Sequence, residues 1–140
     1  MKHCSLTKLV KFQAVFCLAV LLAACAAPVS RESQIEQRVN ERWEKLLGGD
    51  LAGAYEYLSP GYRSSVSSLQ YQRSILLKKI KWTSAKYLES NCEETSCSAT
   101  VAVGFTVYGG VPGIKSFSST RNVEETWLQV DGIWYFVPKR

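Results

Sequence analysis

Histidine is all but missing: His3 is the one imidazole in 140 residues, and aspartate occurs only at Asp50 and Asp131. A histidine general base or a zinc site of the usual Cys/His kind has almost nothing to be built from. Long apolar runs are missing too. Phe12 to Ala24, apolar apart from Gln13, falls well short of the roughly 20 residues a spanning helix needs. The charge excess is small. Three of the 17 basic residues are Lys2, Lys8 and Lys11, and without them 14 face 12 acidic ones, a balance of +2. That gives no electrostatic footprint for nucleic acid. Internal repeats and low-complexity tracts are absent.

What is present at the start is an export pattern. Three lysines precede an apolar stretch of signal-peptide length. It closes on Leu22-Ala23-Ala24-Cys25, which resembles the lipobox of bacterial lipoproteins: a branched aliphatic, two small residues, then cysteine. Small side chains fit a peptidase beside the scissile bond, and a thiol can take a diacylglyceryl group as a thioether. The resemblance implies residues 1–24 as signal peptide, lipid on Cys25, residues 25–32 as a tether and 33–140 as one domain. Two or three acyl chains, at about 0.8 kcal/mol per buried methylene, give stable attachment to membrane lipid. The competing reading is an uncleaved anchor running to Val29, which leaves the position of Cys25 unexplained. Ala26 rather than aspartate follows the cysteine. In lipoproteins of Gram-negative enterobacteria that implies the outer membrane, facing the periplasm, with the inner membrane as the other destination.

Removal of the signal disposes of Cys4 and Cys17, and lipid occupies Cys25. Cys92 and Cys97 remain, and in an exported chain so close a pair reads as a structural disulfide that pins a hairpin. A redox-active pair is the alternative. The short loop limits the gain to about 2 kcal/mol.

Hydrophobic period divides the rest. Ile35, Val39, Trp43, Leu46 and Leu47 recur at helical spacing after a Ser33/Glu36 capping box, and Gly48-Gly49 stops the helix. Asp50 caps a short helix to Leu58, Ser59-Pro60 marks a break or a new turn, and Ser67 or Ser68 caps a helix carrying Leu69, Ile75, Leu76 and Leu77. The following Lys78-Lys79-Ile80-Lys81 reads as a solvated helix end, or as contact with anionic lipid or cell wall. From Ile80 the period is two. Trp82 to Asn91 alternates imperfectly, as a bulged strand would. Cys97 to Tyr108 alternates cleanly, and Phe117–Val130 with Ile133–Val137 forms a hairpin around Asp131-Gly132. Gly109 to Gly113 reads as a turn, with a cavity gate as its alternative. Helices first and antiparallel strands after define an α+β domain.

"RVNERWEKLLGGDLAGAYEYLSPGYR" and "EETWLQVDGIWYFVP" resemble the opening helices and closing hairpin of nuclear transport factor 2-like (cystatin-like, SnoaL-type) domains. The resemblance implies N-terminal helices packed on a strongly bent antiparallel sheet forming a cone, often with a cavity at the open end. Such domains include isomerases, cyclase-like enzymes and dehydratases, and also binding and dimerising subunits, so fold alone does not choose.

The candidate site residues are Trp43, Tyr55, Arg121, Glu125, Trp127 and Trp134. Strand alternation puts Arg121, Val123, Glu125, Trp127 and Gln129 on one face. If that face is concave, Glu125 and Arg121 meet Tyr55 or Tyr57 and supply a proton-transfer pair; the competing expectation is an ion pair on the outer face. The tryptophans line a pocket or fill the core. The closing hairpin is apolar on both faces, which suggests a homodimer or an envelope protein partner docked on the sheet. The reading is a non-enzymatic binding or assembly module without cofactor or metal; a carrier of small apolar ligands and an isomerase- or cyclase-like enzyme are the alternatives.

Overall fold

The strand that opens the sheet has an irregular rhythm. Its half-buried residues are Trp82, Ala85, Tyr87, Ser90 and Cys92, so the spacing runs three, two, three, two. Each step of three is a register shift against the next strand, between Trp82 and Ser84 and between Tyr87 and Glu89. Two bulges thus explain the imperfect alternation, and each bends the strand locally. In the computed structural model, which describes residues 29–139, this is β1 (Ile80–Cys92), followed by β2 (Ser96–Val111), β3 (Ile114–Val130) and β4 (Ile133–Val137). The four form one antiparallel sheet in chain order. Residues 1–24 and Cys25 lie outside the described residues.

Tight turns fix the register. Asp131 and Gly132 both take positive φ, 51° and 79°, the type I′ geometry that matches strand twist. Gly109 to Gly113 is not an open loop: β2 runs on to Val111, which pairs with Ile114 around Pro112-Gly113. Cys92 lies opposite Cys97 in the ladder, their Cα atoms 4.1 Å apart and their sulfurs bonded. The bond clamps the β1–β2 hairpin at its turn, where the Glu93 N–H donates to the Ser96 carbonyl.

Among the described residues four helices precede the sheet: α1 (Arg31–Leu47), α2 (Leu51–Tyr55), α3 (Pro60–Arg63) and α4 (Ser68–Leu76). The first begins two residues before the expected Ser33 box, because the Ser30 hydroxyl accepts from the Ser33 N–H and so supplies the cap one turn earlier. Asp50, Ser59 and Ser67 cap the other three, the last in a reciprocal box with Gln70. In α4 the buried residue is Tyr71, whose ring packs on Tyr55; Leu69, Leu76 and Leu77 face solvent. The expected inward leucines are therefore overturned, while Ile75 does pack on the core beside Tyr71.

The core joins Ile35, Val39, Trp43 and Leu46 of α1 to Ala99, Val101 and Val103 of β2 and to Trp127 and Trp134, with Phe136 packed against it. Residues 29–139 thus enclose a complete hydrophobic core. The free edge of β4 is covered by the chain between α2 and α3, where Phe136 exchanges backbone hydrogen bonds with Tyr57 and Ser59. Among the described residues no helix is long and apolar enough to cross a membrane.

The first bulge needs a partner without a side chain. A Cβ on Gly104, which is opposite Ser84, would collide with the Ser84 and Thr83 hydroxyls. Gly104→Val is expected to cost about 1–3 kcal/mol as an overpacked site, read by urea denaturation; unchanged stability would contradict the assignment.

Candidate functional site

The inward stripe of α1 contains one residue that does not belong to an apolar face. Arg42 stands three positions after Val39 and seven after Ile35, at core spacing, and is 6% exposed. Across from it, Glu125 sits between Val123 and Trp127 on the inward parity of β3 and is 2% exposed. Arg42 Nη1 donates to Glu125 Oε1 at 2.9 Å, and Trp43 Nε1 donates to the same oxygen at 2.9 Å. Trp127 Nε1 donates to Oε2 at 3.1 Å. The guanidinium also lies over the Phe136 ring, 3.8 Å from its centroid. One carboxylate therefore gathers a cation and two indoles from a helix and a strand.

This overturns the outer-face ion pair. Glu125 faces the helices, and its cation is Arg42, a residue absent from the sequence-level candidates. The signal was legible: two opposite charges at core-facing positions, one at helical spacing and one at strand parity. The expected tyrosine contacts are not made. Tyr55 donates to the Val66 carbonyl at 2.8 Å, and Tyr57 donates to Glu41. Arg121 shares the inward face but lies farther along β3, exposed, with its guanidinium 5.9 Å from the Phe105 ring centroid. Trp134 is not a docking residue. It is 2% exposed, its Nε1 donates to Gln34, and its carbonyl accepts from Arg38. The Trp43 and Trp127 side chains are likewise core residues, and Trp43 meets Trp82 edge-on at 5.6 Å.

Next to the Glu125 cluster, between α1, α4 and the sheet, a cavity of about 380 Å³ opens to solvent. Arg42, Trp43, Tyr71 and Glu125 line its inner part; Trp82, Phe105, Val123 and Phe136 form its walls; Lys78, Ile80 and Arg121 stand at its exposed rim. Two polar atoms of these side chains are buried without a partner among the described residues, Arg42 Nε and Tyr71 Oη. Burial pushes the Tyr71 phenol above its ordinary range, and the neighbouring Arg42 guanidinium pulls it partly back. Among the described residues no group of three or more His, Cys, Asp and Glu side chains is placed to hold a metal ion.

No family model matches the chain, and no curated protein matches it in sequence. Solved structures do resemble it. A SEC-C motif containing protein from Rhodopseudomonas palustris superposes with a TM-score of 0.57 at 16% identity, covering 88% of this chain and 87% of that one. A protein of the NTF2-like family from Streptomyces avermitilis, whose name carries a provisional dehydratase assignment, gives 0.52 at 10% identity, covering 76% and 95%. At such identities the likeness is one of fold alone, and it supports a nuclear transport factor 2-like fold.

Two outcomes are expected from the cluster. Glu125→Gln leaves a buried guanidinium uncompensated and should cost about 3–5 kcal/mol in denaturant unfolding. Tyr71→Phe removes a hydroxyl that has no partner, and should leave the stability of the ligand-free domain within about 1 kcal/mol or raise it. A large loss in the second variant would mean that the hydroxyl is satisfied.

Proposed function

We propose that this chain is a membrane-anchored lipoprotein facing the periplasm, and that it acts as a non-enzymatic binding module whose site is the cavity between the helices and the sheet. The observation that carries this reading is the cavity itself. A volume of about 380 Å³ is in the range that encloses a small organic ligand, and its lining sets the aromatic rings of Trp43, Trp82, Phe105 and Phe136 beside charged and polar side chains. The two bulges of β1 support the reading of a bent sheet around that space, since each bends its strand locally.

Catalysis is the weaker reading on physical grounds. A carboxylate that accepts from a guanidinium and two indoles is held in place as a counter-charge, and among the described residues no other carboxyl side chain lines the inner cavity. A general base has to keep a lone pair within reach of the proton it removes. Docking through the sheet is the second reading, and one observation favours it. Leu128, Val130 and Ile133 are 39%, 37% and 48% exposed on the outer side of the β3–β4 hairpin. Trp134 takes no part in that surface.

Native mass spectrometry of residues 26–140, exported to an oxidising compartment, separates the two. A stable adduct of small-molecule mass on a monomer with one disulfide is expected; a bare dimer would favour docking through Leu128 and Ile133. The anchor has its own test. Cys25→Ser should release the protein from the membrane fraction or block its processing, whereas a membrane-bound chain of unchanged processing would establish an uncleaved anchor.

A further inference from the structure

The charges and orphan donors around the cavity specify more than an apolar guest. Inside, Arg42 is neutralised by Glu125, so this end carries no net charge. It nevertheless holds two unsatisfied groups, the Arg42 Nε–H and the Tyr71 hydroxyl, both able to donate. Both Glu125 oxygens are already engaged. An acceptor oxygen without charge would satisfy the pair; a second anion there would leave the interior net negative. The rim differs. Arg121 and Lys78 stand there with no ion-pair partner among the described residues, while Lys139 is set against Glu124. Between rim and interior lie Trp82, Phe105 and Phe136, which suit a flat apolar body.

Resting on the binding reading above, we infer that the cavity takes an aromatic organic acid. Its carboxylate faces Arg121 and Lys78 at the rim, its ring lies against Trp82, Phe105 and Phe136, and an uncharged oxygen at the far end meets Arg42 Nε and Tyr71. The rim cations are solvated, so their attraction is weakened by salt. The interior contact is shielded and much less so.

Three probes of one skeleton separate these elements: 6-hydroxy-2-naphthoate, 2-naphthoate and 2-naphthol, each titrated by calorimetry into folded residues 26–140. The first carries both groups, the second only the acid, the third only the oxygen. The tightest binding is expected for 6-hydroxy-2-naphthoate. Loss of the acid should weaken binding about tenfold at low salt, and Arg121→Gln with Lys78→Gln should erase that difference without changing the affinity for 2-naphthol. Loss of the hydroxyl should weaken binding severalfold, and Tyr71→Phe should erase that second difference alone. Equal binding of all three probes would overturn the organic-acid inference while leaving the cavity as a binding site. Binding of 2-naphthol above the two acids would overturn it as well. Failure of every probe to bind or to displace an apolar dye from the folded domain would overturn the binding reading itself.

Discussion

A single buried carboxylate holds the two layers of this domain in one arrangement. Glu125 projects from the third strand toward the first helix, where only 2% of it is exposed. An ionised group there is tolerable only when its charge and its lone pairs are met. The chain meets them with Arg42 and Trp43 from consecutive positions of the helix and with Trp127 from the same strand. Apolar contacts between the layers tolerate sliding; the two bonds from Arg42 and Trp43 do not, because each has a distance and a direction. They set the rotation of the first helix about its axis and its height along the strand. Arg42 then lies across Phe136, so the closing hairpin is tied to the same point.

The cavity follows from that anchor. Arg42, Trp43 and Glu125 line one side of it, and the last helix contributes Tyr71 to its lining. The sheet continues beyond the helices, as the exposure of Phe117, on the inward parity of β3, shows. Space remains between the layers where aromatic rings line the sheet and the helices no longer fill it. The neutral interior and the cationic rim are thus products of one design: the buried pair cancels itself, and the surplus basic residues gather where solvent reaches them.

Much of this was legible in the sequence. The clean alternation of Ala99, Val101 and Val103 and the Asp131-Gly132 turn marked the sheet, because strand parity and a positive-φ turn are local properties. The helix caps at Asp50, Ser59 and Ser67 were legible for the same reason. The paired cysteines were read correctly as partners. The bulges of the first strand blurred its pattern, since two extra residues reset the parity twice; their positions depend on the neighbouring strand. The leucines of the last helix misled because apolar residues on a short helix need not face inward, and Tyr71 with Ile75 does that work. The buried pair was missed because each charge was weighed separately. Glu125 has an outer-face interpretation until Arg42, 83 positions earlier, is noticed at core spacing on the helix.

The most direct test of the anchor is a double-mutant cycle between Arg42→Met and Glu125→Gln, with unfolding free energies measured in denaturant. Two groups in one buried network should be strongly coupled, so the double variant should be more stable than the sum of the single losses predicts by about 1–3 kcal/mol. Losses that add within about 0.5 kcal/mol would contradict the account, since the helix and strand would then be held together by their apolar packing and not by the carboxylate between them.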